Sequence, residues 1–394
     1  MGHRVVIFTF ESTRELSHTA TNMAKIAIDA RKYFDYGIGS YIQNLASVLS
    51  GMHTTHEFTL IAASADIGRI EAPDGWHKEQ SDYGKYSIGE IAFLGRKALA
   101  SGIELFHEPH YTLPAGLKGR SVVTIHDLIH LKMPHYFSVV QRGYAATMMR
   151  YAVKNAGAVI ADSQKTKIDI LEAFHVEEDS VTVVHLGVHP VFRPLEDNRS
   201  IERFRLAHRL PKPFVLFVGN VKPHKNIPAL LSAFAQVQAK VRNLDLVFAG
   251  GACLADSGLA EQARKLGITG SIHDLYQVSE SELVAAYNAA EVVVLPSFYE
   301  GFGYPPLESM ACGTPVVVSS GGALPEIVGD AATIIDPLRP EELAEAIRTT
   351  LEDTQTRTTL IEKGKKRAAG FSWQKTGEQT LMIYEKVLDR CRHD

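Results

Sequence analysis

Two glutamates frame the stretch SFYEGFGYPPLESMACGTPVV at residues 297–317: Glu300 and Glu308, with seven residues between them. Paired carboxylates can act as acid and nucleophile in glycoside hydrolysis, standing about 5–5.5 Å apart in retaining enzymes. They can equally accept paired hydrogen bonds from adjacent hydroxyls. Glycines between them open backbone N–H groups to a ligand. Pro306 suits the first position of a helix through PLESMAC that Gly313 ends, which would put Glu308 in its first turn facing a cleft. Favouring the helix dipole would give Glu308 a purely structural role worth roughly 0.3–1 kcal/mol. That reading leaves Glu300 unexplained. A capping box would need Ser or Thr at position 305, where Pro305 stands.

A second chemical signal is FVGNVKPHKNIPALLSAF, a strand followed by a loop with Lys222, His224 and Lys225 and then a helix. Cations at a helix N-terminus oppose the helix dipole unless an anion lies between. A phosphate supplies that anion and takes charge-assisted hydrogen bonds from lysine; the plain alternative is a solvated basic loop. VFAGG, with Gly250 and Gly251, is another strand-end glycine pair. DYGIGSYIQNL places Gly37 and Gly39 between a strand and a helix, where a tight turn or an anion would each use them. A dinucleotide fingerprint would need a third glycine where Ile42 stands, and an acid after TLIAAS that is absent. A nicotinamide dehydrogenase is therefore poorly supported.

His126 and Asp127 follow the apolar run SVVTI, where a histidine could bond a sugar hydroxyl or serve structure. LFHEPHYTLP offers His107, Glu108, His110 and Tyr111 at another strand end, read as a polar acceptor pocket. Their spacing matches no standard metal site. No two aspartates stand two apart, so a D-x-D metal motif is missing as well.

The elements that must position these groups are legible from periodicity. KIAIDA, FTLIAA, LFHEPH, SVVTIHD, AVIADS and VTVVHLGV read as strands, alternating with helical stretches such as SYIQNLASVLSGM. A second set follows: FVLFVGN, LDLVFAGG, SIHDLYQ, VVVLPS, TPVVVSS and ATIIDP. Continuous apolar strands imply parallel sheets covered on both faces. The fold class is α/β, two doubly wound halves facing each other across a cleft, with ligands at the carboxyl ends of the strands. The boundaries read 23–190 for the first domain, 191–371 for the second, and 372–394 for a C-terminal helix packing back on the first. Residues 1–22 read as an extension outside the core, because the pattern from Lys25 onward is complete without them.

A chain of 394 residues with 45% hydrophobic and 22% charged residues suits two globular domains. Its net charge of −4 argues against nucleic acid as a partner. Three cysteines without ligand spacing fit a reduced, cytoplasmic setting. No apolar run approaches the ~18 residues of a membrane span, so membrane contact would be peripheral. QRGYAATMMRYAVKNAG, with Arg142, Arg150 and Lys154, could supply it, but reads better as a helix covering the first sheet.

Taken together, YGIGSY, the HD after a strand, GNVKPHKN, PSFYEGFGYPPLESMACGTPVV and GGALPEIVGDAA resemble the retaining nucleotide-sugar glycosyltransferases of family 4, with their GT-B fold and E-x7-E motif. The resemblance runs over nearly the whole chain from Met23. It implies that Glu300 and the backbone of Gly301, Phe302 and Gly303 bind donor-sugar hydroxyls, and that Glu308 holds the ribose. Lys225 would neutralise the diphosphate, Gly39 approach the phosphates, and His126 stand near the transferred sugar. His126, Glu300 and Lys225 are the expected catalytic set. Gly37, Asn220, Lys222, Gly250 and Val278 would complete the donor side, and His107, Glu108, His110, Tyr111 and Asp127 the acceptor side. Asn220 stands where many relatives carry an arginine, so either Lys222 or His224 substitutes for it or the phosphate grip is looser.

The implied reaction retains the anomeric configuration and needs neither metal nor cofactor. Within the family the motifs are most similar to bacterial mannosyltransferases of surface-polysaccharide synthesis. They imply GDP-mannose as donor, with a UDP-sugar or another GDP-sugar behind it, and a saccharide or lipid-linked acceptor. A GT-B epimerase and a non-catalytic carbohydrate-binding protein are the alternatives from other classes.

Overall fold

The structure, a computed structural model, describes residues 23–393 apart from 86, 88 and 252–257. The expectation for residues 1–22 lies outside the described residues. The first sheet contains β1 (Lys25–Asp29), β2 (Glu57–Ala63), β3 (His77–Ser81), β4 (Leu105–Glu108), β5 (Ser121–Ile125), β6 (Ala158–Ala161) and β7 (Val181–Val183). Their order is β3-β2-β1-β4-β5-β6-β7, with every neighbouring pair parallel. The second contains β8 (Phe214–Val218), β9 (Asp245–Ala249), β10 (Ile272–Leu275), β11 (Val292–Leu295), β12 (Val316–Ser319) and β13 (Thr333–Ile335). Its order is β10-β9-β8-β11-β12-β13, again all parallel.

SVVTI, FVLFV and VVVL are buried along their whole length, as strands with both faces covered must be. Parallel neighbours cannot be joined by a hairpin, so each connection crosses over through a helix or a long loop. In both sheets the strand order reverses, between β1 and β4 in the first and between β8 and β11 in the second. The crevice outside the carboxyl ends of those four strands is where such sheets bind ligands. One strand escapes the periodicity reading. β3 is HKEQS at the sheet edge, largely exposed, and pairs with β2 without any apolar run.

The helix Val139–Asn155 covers the first sheet through Ala145, Met149, Ala152 and Val153. Its Arg150 guanidinium lies 5.6 Å from the Phe174 ring centroid, so this cation is engaged in packing. Val139 and Val140, at the helix start, are exposed. Among the described residues no helix is long and apolar enough to cross a membrane.

After Phe371 the chain returns to the first sheet, and Val188 N–H donates to the Phe371 carbonyl at 3.2 Å. The helix Trp373–His393 then buries Thr376, Thr380, Tyr384 and Val387, positions three or four apart on one face. It packs on the helix Tyr36–Ser50 and on β4 and β5. Tyr384 Oη lies 2.5 Å from His107 Nδ1, and His107 Nε2 lies 2.9 Å from Thr124 Oγ1. His107 is fully buried, and burial pushes its pKa down to about 3, so the ring is neutral. It fastens the last helix to the sheet instead of lining an acceptor pocket. Tyr384→Ala removes a fully buried ring and this bond and should destabilise the chain by about 3–5 kcal/mol in urea unfolding. A loss under about 1 kcal/mol, the size of an ordinary surface change, would show that the helix does not secure the sheet.

Candidate active site

The loops after β8 and β11 meet at the switch point of the second sheet. The β8 loop ends in a 3-10 turn, Pro223–Lys225, followed by Asn226 in the left-handed region at φ 55°. The Asn226 side-chain amide donates to the carbonyls of Pro296 at 3.2 Å and Pro337 at 2.7 Å. Phe298 N–H donates to the His224 carbonyl at 2.8 Å. These bonds tie the two loops together and bring Lys225 Nζ to 2.7 Å from Glu300 Oε1. Ser297 Oγ donates to the same carboxylate oxygen at 2.5 Å. Both charged side chains are about one-seventh exposed, Lys225 at 15% and Glu300 at 13%, so water does little of their neutralisation. Burial alone would raise the Glu300 pKa, but Lys225 and Ser297 together hold it below the usual carboxylate range.

The rest of the basic loop divides. Lys222 is exposed, whereas His224 is buried, and desolvation pushes its pKa down to about 4. A neutral His224 cannot stand in for a missing arginine cation. Asn220 Oδ1 is buried without a hydrogen-bond partner at the end of β8.

The helix bearing Glu308 runs Tyr304–Cys312 and starts two residues before the expected Pro306, capped by Gly303 and with Pro305 in its first turn. Glu308 is its fifth residue, outside the first turn, so the dipole argument lapses. Its Oε2 accepts from Tyr287 Oη at 2.6 Å. Desolvation raises its pKa to about 7, against the opposing pull of that bond. Phe302 is buried against Tyr304 and Phe371, at 5.7 and 6.0 Å between ring centroids, and serves the core.

The first sheet approaches from the other side. A Cβ on Gly301 would lie 1.9 Å from the His126 carbonyl oxygen and 2.7 Å from Asp127 Cβ, so only glycine fits against the end of β5. The His126 ring is occupied at both nitrogens: Nδ1 lies 2.6 Å from Asp162 Oδ2 and Nε2 3.1 Å from the Pro109 carbonyl. Both neighbours are acceptors, which favours the doubly protonated ring; burial disfavours that charge, yet Asp162 raises the pKa. His126 therefore meets the second sheet with its backbone, and its ring has no nitrogen left for a sugar in this arrangement. Asp127 Oδ1 accepts from Ile129 N–H at 2.9 Å, and burial raises its pKa.

Glu108 lies in a buried cluster with Asp29 and Glu90, whose ligand oxygens lie within 4.8 Å of one another. Arg31 supplies the cation there, donating through Nε to Asp29 Oδ1 at 2.9 Å and through Nη2 to Glu90 Oε1 at 2.8 Å. Burial and the neighbouring acids push the Glu108 pKa well up. His110 and Tyr111 are buried side by side, ring centroids 3.8 Å apart. The four histidine, glutamate and tyrosine residues expected on the acceptor side are thus mostly interior.

Gly39 also packs closely, since a Cβ there would stand 2.4 Å from the Tyr33 carbonyl oxygen, whereas Gly37 faces open space. Beside this loop a cavity of about 480 Å³ spans the two sheets. Phe34 and Tyr36 line one wall, and Gly250, Gly251, Tyr276, Gln277, Val278 and Ser279 the other. Gly250 and Val278 were expected on the donor side; the aromatic residues were not. Tyr36, next to Gly37 in the glycine loop, was their one available signal. A cavity of about 370 Å³ beside β13, lined by Glu341, Glu342 and Glu345 among others, holds none of the expected residues.

Glu308 generates a test of these electrostatics. A carboxyl raised from its ordinary 4.5 to about 7 favours the fold while protonated, and that contribution is lost as pH rises through this interval. Glu308→Gln keeps a neutral group of similar shape. Its melting temperature relative to the parent chain should climb between those two pH values and then level off. A pH-independent difference would show that Glu308 titrates as an ordinary carboxyl.

Residues 36–192 match the family model described as Glycosyltransferase Family 4, and residues 198–367 that of Glycosyl transferases group 1. The O-antigen chain mannosyltransferase B of Escherichia coli is 28% identical over 384 residues, which span 91% of this chain and 98% of that protein. The MMP alpha-(1->4)-mannosyltransferase of Mycolicibacterium hassiacum is 32% identical over 259 residues, 64% of this chain and 60% of that protein. Among solved structures, Anabaena HepE in complex with UDP-glucose superposes with a TM-score of 0.74 at 20% identity, covering 91% of this chain and 98% of that one. Two parallel Rossmann-like sheets joined in this way form the GT-B fold. With the two family models side by side over most of its length, the chain belongs to the family 4 glycosyltransferases.

Proposed function

We propose that the chain transfers a mannosyl residue from GDP-mannose to a saccharide or lipid-linked saccharide in surface-polysaccharide synthesis, at the cytoplasmic face of a membrane. The observation that carries this reading is the Lys225–Glu300 pair at the β8/β11 switch point. It sets a cation for a diphosphate beside a carboxylate for hydroxyls, at the crevice where both sheets meet. Glu300 then holds the donor sugar and Glu308 the ribose, while Lys225 takes charge from the departing diphosphate. Mannose rests on the two mannosyltransferase relatives above. A UDP-hexose is the second reading, favoured by the UDP-glucose in HepE.

In the reaction the bond from the anomeric carbon to the diphosphate oxygen breaks, and the acceptor oxygen attacks on the same face, so configuration is retained. The acceptor proton passes to the leaving diphosphate. Catalysis here is positioning plus charge stabilisation, with the cation of Lys225 in the place a metal would otherwise fill. Val139 and Val140, exposed at the start of their helix, are the apolar contacts we assign to a lipid surface.

A panel of nucleoside diphosphates and nucleotide sugars, read by thermal shift, should select GDP-mannose. With the selected donor, Glu300→Gln should lower turnover by about 10²–10³-fold, the order seen when one transition-state group is lost. A chelator should leave the parent rate unchanged. Near-normal turnover of Glu300→Gln, or strict dependence on Mg²⁺ or Mn²⁺, would overturn the scheme.

A further inference from the structure

Glu300 belongs to the second sheet, yet the residues on either side of it are held by the first. Tyr299 Oη donates to Asp169 Oδ2 at 2.8 Å across the cleft. The Gly301 carbonyl accepts from Ser163 Oγ at 2.7 Å and from Thr166 Oγ1 at 3.2 Å. All three first-sheet groups lie at the cap or in the first two turns of the helix Gln164–Phe174, and all are fully buried. A third tie joins the same place from the opposite direction. Glu326 receives the N–H groups of Gln164 at 2.8 Å and Lys165 at 3.0 Å, and the helix it sits on follows Ala323, whose N–H donates to the Glu300 carbonyl at 2.8 Å.

Asp169 is the charged member of this set. Its Oδ1 takes Lys132 Nζ and Lys165 Nζ, each at 2.6 Å, which leaves Oδ2 aimed at Tyr299. Ser163 and Thr166 fix only a backbone carbonyl. Asp169 instead holds a side chain that reaches from the residue directly before Glu300. With Tyr299 and Gly301 both fastened, the Glu300 backbone has little freedom to turn, and its carboxylate is directed at Lys225.

We propose that Asp169 is a positioning residue for Glu300, acting through Tyr299, so that the sugar-holding carboxylate is correctly set only while the two sheets are closed on each other. This rests on the reading of Glu300 given above. The two lysines on Asp169 are 30% and 38% exposed and remain hydrated when the acid is neutralised, so Asp169→Asn is expected to fold.

Asp169→Asn, Tyr299→Phe and the double variant are compared in the full chain. GDP affinity should not fall below the parent's, because neither Asp169 nor Tyr299 lines the cavity assigned to the nucleotide and a displaced Glu300 competes less for Lys225. Turnover of GDP-mannose should fall by about tenfold or more in kcat, as small misplacements of a reacting group do. The double variant should be no worse than the poorer single one, since both break one link. Crystals of free Tyr299→Phe should show residues 299–301 displaced from Lys225, a readout that needs no donor. An unmoved loop, unchanged kcat, or parallel losses in GDP affinity and melting temperature would each overturn the positioning role. Should the parent chain prove inactive with GDP-mannose, the crystal readout still decides for or against the link, while the donor assignment alone fails.

Discussion

A carboxylate withdrawn from water must find its counter-charge in the protein, and Glu300 finds it in Lys225 at 2.7 Å. Removing one partner of such a pair leaves an uncompensated buried charge, a loss of about 3–5 kcal/mol in comparable sites. The pair explains why two loops from different strands are so closely bound together. Asn226 and Phe298 cross-link the loops through backbone carbonyls, so the distance between cation and anion is set by covalent neighbours of both. A diphosphate entering the cleft would compete with Glu300 for the same ammonium. Under the proposed reading a donor would exchange one anion on Lys225 for another, leaving the Glu300 carboxylate to Ser297 and the sugar hydroxyls.

The parallel sheets make this economy of groups unavoidable. Where strand order reverses, two neighbouring strands send their chains to opposite faces, and their loops part to leave a crevice. In the second sheet that crevice gathers Asn220, Lys225 and Glu300. In the first it gathers Asp29 and Glu108, where Arg31 answers Asp29 and Glu90 internally. The two switch points are alike in topology and opposite in availability. The second presents charge to the cleft, while the first consumes it in holding the ends of β1 and β4 together.

Much of this was legible before any coordinates. Apolar β-branched runs found nearly every strand, because strands covered on both faces are mostly apolar. The E-x7-E spacing and the lysine loop marked out residues that oppose the local dipole or lack a capping partner, and the structure brings two of them, Lys225 and Glu300, together. What failed was the assignment of polar residues near strand ends. His107 and His110 read as pocket residues since sequence cannot distinguish a strand end in the crevice from one under a helix; the distant Tyr384 decides the case for His107. His126 was expected near the transferred sugar; its backbone lies against Gly301, and its ring partners, Asp162 and the Pro109 carbonyl, come from other segments. The helix start at Tyr304 was missed because two consecutive prolines fit the first turn as well as either does alone. The edge strand β3 carries charge since one side of it faces solvent.

The cavity beside Tyr36 and Val278 lies between the glycine loop of one sheet and the strand ends of the other, so a donor held there would touch both halves. The most direct measurement is a crystal structure of the chain with GDP bound. Lys225 Nζ is expected to leave Glu300 Oε1 for a diphosphate oxygen, with the ribose hydroxyls on Glu308 and the base in that cavity. A nucleotide bound elsewhere, with Lys225 still paired to Glu300, would contradict the assignment of this site to the donor.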